Sequence, residues 1–129
     1  MRLVTGSRGS EPQAANFETK CFDLSANPYL LVGALIATGL AGLDGDGRLP
    51  AEFTGDPAAR SEAELESLGV KRLPQSLDEA LIHLEGSQVL RDALGSALLG
   101  AFVAVRRAEL ATFAGATPEE IVAATRWRH

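Results

Sequence analysis

The chain has 129 residues, 46% apolar and 22% charged, a balance that excludes a disordered segment and fits one compact domain. Lys and Arg number 12 against 17 Asp and Glu, a net charge of −5. The basic residues occur only in short scattered pairs (Lys71-Arg72, Arg106-Arg107, Arg126 and Arg128), which argues against a nucleic-acid partner.

Residues 1–15 hold Gly6, Ser7, Gly9, Ser10 and Pro12 and show no period beyond Leu3-Val4-Thr5, so they read as loop. They carry no apolar stretch of the kind a secretory leader needs. Residues 16–23 read as a strand and its turn. Phe17, Thr19 and Cys21 alternate with Asn16, Glu18 and Lys20 through Phe22. Asn27 is a good N-cap and Pro28 suits the first helical position, where the backbone N–H has no partner anyway. The helix they open, residues 27–43, is apolar on all sides and is therefore expected to be buried. Gly33 and Gly39 each cost it about 1 kcal/mol against Ala, which close packing on another backbone would explain. Its apolar run, Tyr29 to Leu43, is interrupted by Gly33, Thr38, Gly39 and Gly42 and falls short of the roughly 20 residues that cross a bilayer. No membrane partner is expected.

Residues 44–60 form a linker that opens on the turn Asp44-Gly45-Asp46-Gly47 and contains Pro50, Gly55 and Pro57. Residues 61–129 read as short capped helices. Ser61-Glu62-Ala63-Glu64, Ser76-Leu77-Asp78-Glu79 and Thr117-Pro118-Glu119-Glu120 are capping boxes, in which hydroxyl and later carboxylate satisfy each other's free backbone donors. Gly86 ends one helix, Ser87 caps the next, and Ser96 opens a long amphipathic stretch with Leu99, Phe102, Val103, Arg106 and Leu110 along one side. The class is α+β, mainly helical with one or two strands. An isolated strand pair is marginal in water, so this strand reads as part of a larger sheet.

Few residues carry chemistry by pattern alone. Cys21 excludes an internal disulfide, fits a reducing cytoplasmic setting, and reads as a small core residue. His83 on a helix reads as structural and His129 is terminal. Asp44-Gly45-Asp46-Gly47 resembles the start of a calcium loop, but Arg48 takes the third ligand position and no Glu closes it. Read without a family, Glu18 and Lys20 are a solvated pair on a strand's polar face.

The stretch Asn16-Phe17-Glu18-Thr19-Lys20-Cys21-Phe22-Asp23-Leu24-Ser25-Ala26-Asn27-Pro28-Tyr29-Leu30 resembles the signature near the C-terminal end of the glutamine synthetase catalytic domain. There a strand bearing Glu-x-Arg or Glu-x-Lys leads to a turn, and Ala-Asn-Pro-Tyr-Leu opens a long apolar helix. The resemblance continues through Leu73-Pro74, Ser76 to Leu81, and Arg106-Arg107-Ala108-Glu109. It implies a mainly helical fragment of an ATP-dependent ligase that joins ammonia or another amine to the γ-carboxylate of glutamate. The implied cofactors of the full-length parent are ATP and Mg²⁺ or Mn²⁺, with none expected on this fragment.

By that resemblance Glu18 stands at a metal-binding glutamate, since phosphoryl transfer from ATP needs a divalent ion held by hard oxygen ligands. Lys20 stands at a substrate-binding arginine, keeping its charge without the planar fork. Arg2 matches an ATP-contacting arginine, and Asn16 replaces a basic residue usual in the family. Period-2 spacing puts Glu18 and Lys20 on one face, about 7 Å apart. A complete member also carries a β-grasp domain and a barrel-like sheet with the remaining metal ligands, so this chain is expected to be inactive alone and to form a homo-oligomer. The alternative is a non-catalytic interaction module that self-associates or packs on a full-length relative, its unpaired strand edge seeking a partner.

Overall fold

The computed structural model describes residues 2–4, 6, 8–23, 26–45, 47–48 and 51–127. Thr5, Ser7, Leu24, Ser25, Asp46, Pro50, Arg128 and His129, each named above, lie outside that set, as do the side chains of Arg2, Leu3 and Pro12. The chain divides into two compact units, Met1–Val32 and Gly33–His129.

In the first unit, β1 (Arg2–Val4) pairs antiparallel with β2 (Asn16–Glu18), and the short helix α1 (Glu11–Ala14) lies in the connection between them. The register sets Arg2 opposite Glu18, Leu3 opposite Phe17 and Val4 opposite Asn16. Residues 1–15 are therefore not all loop: Leu3-Val4, too short to show a period, becomes a strand because β2 supplies its hydrogen-bonding partner. Strand β2 ends at Glu18 rather than continuing to Phe22. An antiparallel ladder needs a neighbour at every rung, and its neighbour here, β1, spans three residues.

Helix α2 (Pro28–Asp44) begins as the sequence predicts. The Asn27 carboxamide oxygen accepts the Tyr29 N–H at 3.0 Å and the Leu30 N–H at 3.2 Å, satisfying first-turn donors that have no helical partner. The helix is not buried, which corrects the expectation drawn from its composition: none of its residues is buried, and Tyr29 is 86% exposed. Among the described elements, the substantial packings are β1 on β2 and, in the second unit, α4 on α5; neither covers α2. At its C-terminal end Gly47 N–H returns to Gly42 O at 3.1 Å, and a Cβ on Gly47 would come within 2.7 Å of that oxygen, so only glycine fits the turn.

The linker holds one 3₁₀ turn, Pro57–Ala59, capped by Asp56. Four helices follow: α3 (Glu62–Ser67), α4 (Leu77–Gly86), α5 (Gln88–Thr112) and α6 (Pro118–Thr125). Both bonds of the capping box are present at Ser61/Glu64 and at Thr117/Glu120. At α4 only half of the box forms. Ser76 Oγ accepts the Glu79 N–H, while the Glu79 carboxylate accepts the N–H of Gln75 at 2.8 Å instead of that of Ser76.

Helices α4 and α5 make the core. Leu81, Leu99 and Val103 are its buried residues, with Leu84, Leu94 and Leu110 packed around them. The Glu85 carboxylate accepts from Arg107 across the pair, and Arg91 donates to the Glu85 carbonyl at the end of α4. Helix α5 is long and apolar enough to reach across a bilayer by length and composition. It is broken at Gly95 (φ 74°, ψ 157°), a conformation open essentially to glycine, and its two buried residues, Leu99 and Val103, join Leu81 of α4 in the core.

Candidate functional site

The candidate residues lie on the β1–β2 ladder of the first unit. Asn16 starts β2 and its side-chain amide donates to Ala14 O at 2.9 Å, which ties the strand to the end of α1. Two residues on, Glu18 closes the ladder opposite Arg2, so positions 2 and 18 share a face of the sheet. Lys20 lies past the end of the strand, yet its Nζ stands 3.3 Å from Glu18 Oε1. The side chains are thus brought together more closely than strand spacing alone required. The break after Glu18 lets the lysine fold back onto the carboxylate.

Exposure differs between the two partners. Glu18 retains 36% of its side-chain surface and Lys20 retains 73%. The carboxylate is fixed on the ladder, and the ammonium is at the end of a flexible, mostly solvated stem. An ion pair of this exposure contributes between zero and about 1 kcal/mol. The arrangement is a fixed acceptor beside a mobile cation, with a second cationic residue, Arg2, at the facing rung.

A divalent ion demands more than this ladder offers. Mg²⁺ and Mn²⁺ prefer several oxygen ligands in a fixed geometry, whereas Glu18 is a single carboxylate with an ammonium already against it. Among the described residues, no three His, Cys, Asp or Glu side chains converge as a metal would require. These residues by themselves do not fit the metal.

The other notable features lie away from the ladder's chemistry. Cys21 is exposed rather than a core residue, because the strand that was to turn it inward stops three residues earlier. His83 lies on the exposed side of α4. A shallow groove of about 530 Å³ runs beside α4 and α5, floored by Leu99, Gly100 and Val103 with Arg91 and Arg107 at its rim. Sequence reasoning missed the β1 partner strand that sets Arg2 across from Glu18. The signal available was Leu3-Val4 followed by Gly6 and Gly9, an apolar pair before a turn.

Residues 1–123 match the family described as glutamine synthetase, catalytic domain. The chain is 43% identical over all 129 of its residues to a γ-glutamylpolyamine synthetase of Streptomyces coelicolor, and covers 28% of that protein. It is 33% identical over 82% of its length to a glutamine synthetase of Clostridium saccharobutylicum, covering 23% of it. A glutamate–methylamine ligase of Methyloversatilis universalis is 40% identical over 60% of the chain, which covers 18% of that enzyme. The chain thus spans less than a third of the length of each of these relatives.

Proposed function

The chain belongs to the glutamine synthetase catalytic-domain family, and from that premise we propose that it is the C-terminal portion of an ATP-dependent ligase joining an amine to the γ-carboxylate of glutamate. In that reaction ATP transfers its γ-phosphoryl group to the carboxylate, the amine attacks the acyl phosphate, and inorganic phosphate leaves. Glu18 would supply one of the several oxygen ligands that a divalent ion needs, the others coming from beyond these residues. Lys20 offers its charge to an anionic oxygen of glutamate or of the transferred phosphoryl group, and Arg2 contacts ATP. The observation that supports the reading is the juxtaposition, at the end of one ladder, of Glu18 with Lys20 just beyond the strand, 3.3 Å apart, and Arg2 at the rung opposite Glu18.

One carboxylate does not assemble the site, so the isolated chain is inactive. Purified chain is expected to give no phosphate release that depends on both ATP and glutamate. Turnover that disappears in Glu18→Ala would overturn this. If turnover appears only when the remainder of a family member is supplied, the amine class is read in the same assay with ammonia, methylamine and a polyamine. The polyamine is expected to be preferred, after the relative matched over all 129 residues.

A second reading is favoured by α2. Tyr29, Val32, Ile36, Leu40 and Leu43 recur at steps of three and four and are all exposed. An apolar face of this extent is relieved by another protein surface. The chain then acts as an interaction module that self-associates or packs on a full-length relative. Light scattering at micromolar concentration is expected to report a dimer or larger species, and a sharp monomer mass counts against this reading.

A further inference from the structure

We propose that α2 is a self-complementary surface through which two copies of the chain pair antiparallel, about a two-fold axis at Ile36. The proposal rests on the reading of the chain as an interaction module and names the partner, the register and the direction. Its basis is a symmetry within the helix. The exposed apolar residues lie seven and four positions to either side of Ile36, with Tyr29 and Val32 before it and Leu40 and Leu43 after it. Gly33 and Gly39 stand three positions to either side. At about 100° per residue, all of them fall within an arc of roughly 120° centred on Ile36.

A two-fold interface sets residue i of one copy against j of the other and j against i, so it needs a pattern that reads the same in both directions. Antiparallel pairing at Ile36 meets that condition. Tyr29 faces the partner's Leu43, Val32 faces the partner's Leu40, and Gly33 faces the partner's Gly39. A Cβ on either glycine would meet nothing within 4 Å. The chain's own packing therefore gives no reason for them, whereas a second backbone in close approach does. Direction follows from Asp44, the last residue of α2. Parallel pairing would set it beside its own counterpart, while antiparallel pairing sets it at the Pro28 end, where the helix dipole favours a negative charge. The area suffices. Tyr29 and Leu43 are at least four-fifths exposed and the three residues between them about half. With side chains of roughly 150–250 Å² each, about 600 Å² of apolar surface lies open per copy. Two copies bury about 1,200 Å², the lower end of what holds a specific dimer.

The test is sedimentation equilibrium of the purified chain at micromolar concentration, in reducing buffer because Cys21 is exposed. Circular dichroism checks that each variant keeps its helices. The wild type is expected to be a dimer. Ile36→Glu sets two carboxylates against each other at the axis and should weaken the dimer by at least about a hundredfold, as should Ile36→Lys with two ammoniums. Mixing those two variants should restore association, because residue 36 faces only its own counterpart. Ile82→Glu puts the same charge on an exposed residue of α4 and should leave the dimer intact. A monomeric wild type overturns self-association and the proposal with it. If the wild type is a dimer that Ile36→Glu weakens no more than Ile82→Glu does, self-association stands and α2 is not its surface. If both Ile36 variants are monomers and their mixture stays monomeric, the two-fold axis at Ile36 is refuted.

Discussion

Removing the Leu81 side chain tests whether the α4–α5 pair is what holds the second unit together. Leu81 is 2% exposed, the most covered of the three buried side chains, and it is enclosed by Leu99, Val103, Leu84, Leu94 and Leu110. Truncation of a buried leucine to alanine costs about 2–5 kcal/mol, with the cost set by how far the surroundings close over the cavity. Here the walls belong to only two helices, which can approach each other, so the low end applies, about 2–3 kcal/mol. That is roughly a 30-fold to 150-fold loss in the folding constant and about 1–2 M in the urea midpoint. The assay is urea unfolding followed by far-ultraviolet circular dichroism. Leu98→Ala, on α5 but 45% exposed, is the comparison and should cost less than about 1 kcal/mol. Alanine is at least as good a helix former as leucine, so propensity does not confuse the pair. If Leu81→Ala moves the midpoint no further than Leu98→Ala, the α4–α5 core is not the stabilising element.

Two glycines of α5 should respond with opposite signs. Gly95→Ala forces a side chain into φ 74°, ψ 157° and should cost on the order of 1–3 kcal/mol, whereas Gly100→Ala adds a Cβ into open space within a helix and should gain about 0.5–1 kcal/mol in the same urea assay. Glu85→Gln breaks the exposed pair with Arg107 and should cost at most about 1 kcal/mol, the loss shrinking as salt is raised. Glu64 is held below its ordinary value of 4.5 first by the Ser61 backbone N–H, then by the Ser61 hydroxyl and Arg60. A carboxyl depressed in the folded state stabilises above its ordinary value, and that contribution is lost as pH falls through the folded value. Ser61→Ala removes the hydroxyl but keeps the backbone N–H, the larger cause, so it should move the Glu64 titration, followed by NMR, only part of the way toward the ordinary range.

What was legible in the sequence was local. Asn27, Ser61, Ser87 and Thr117 each cap a helix where their side chains predict, because a cap is a bond between residues three apart and needs nothing else. The break before Ser96 was legible for the same reason, since Gly95 can adopt the conformation its neighbours resist. The Ser76 cap was half legible: the hydroxyl bond forms, but the carboxylate has two backbone donors in reach and takes Gln75. Strand β2 was legible in its first half only. Alternation states which residues face together, but the length of a strand is set by its neighbour, and β1 spans three residues.

The site follows the same division. That Glu18 and Lys20 are neighbours could be anticipated from their two-residue separation, but their contact follows from the end of the strand at Glu18; that Arg2 stands opposite Glu18 depends on a register between segments more than ten residues apart. Burial is the least local property of all, and α2 shows why. Its composition calls for cover on every side, but cover must come from another apolar surface, and α4 and α5 spend theirs on each other. An amphipathic helix needs one partner face and can find it in its neighbour along the chain. A helix apolar all round needs several, which three short helices with acidic first turns and one long helix already paired with α4 do not provide. The pattern of α2 is therefore a statement about surfaces that the described residues lack. On the proposed reading, a metal at Glu18 would likewise need oxygen ligands beyond those its ladder supplies.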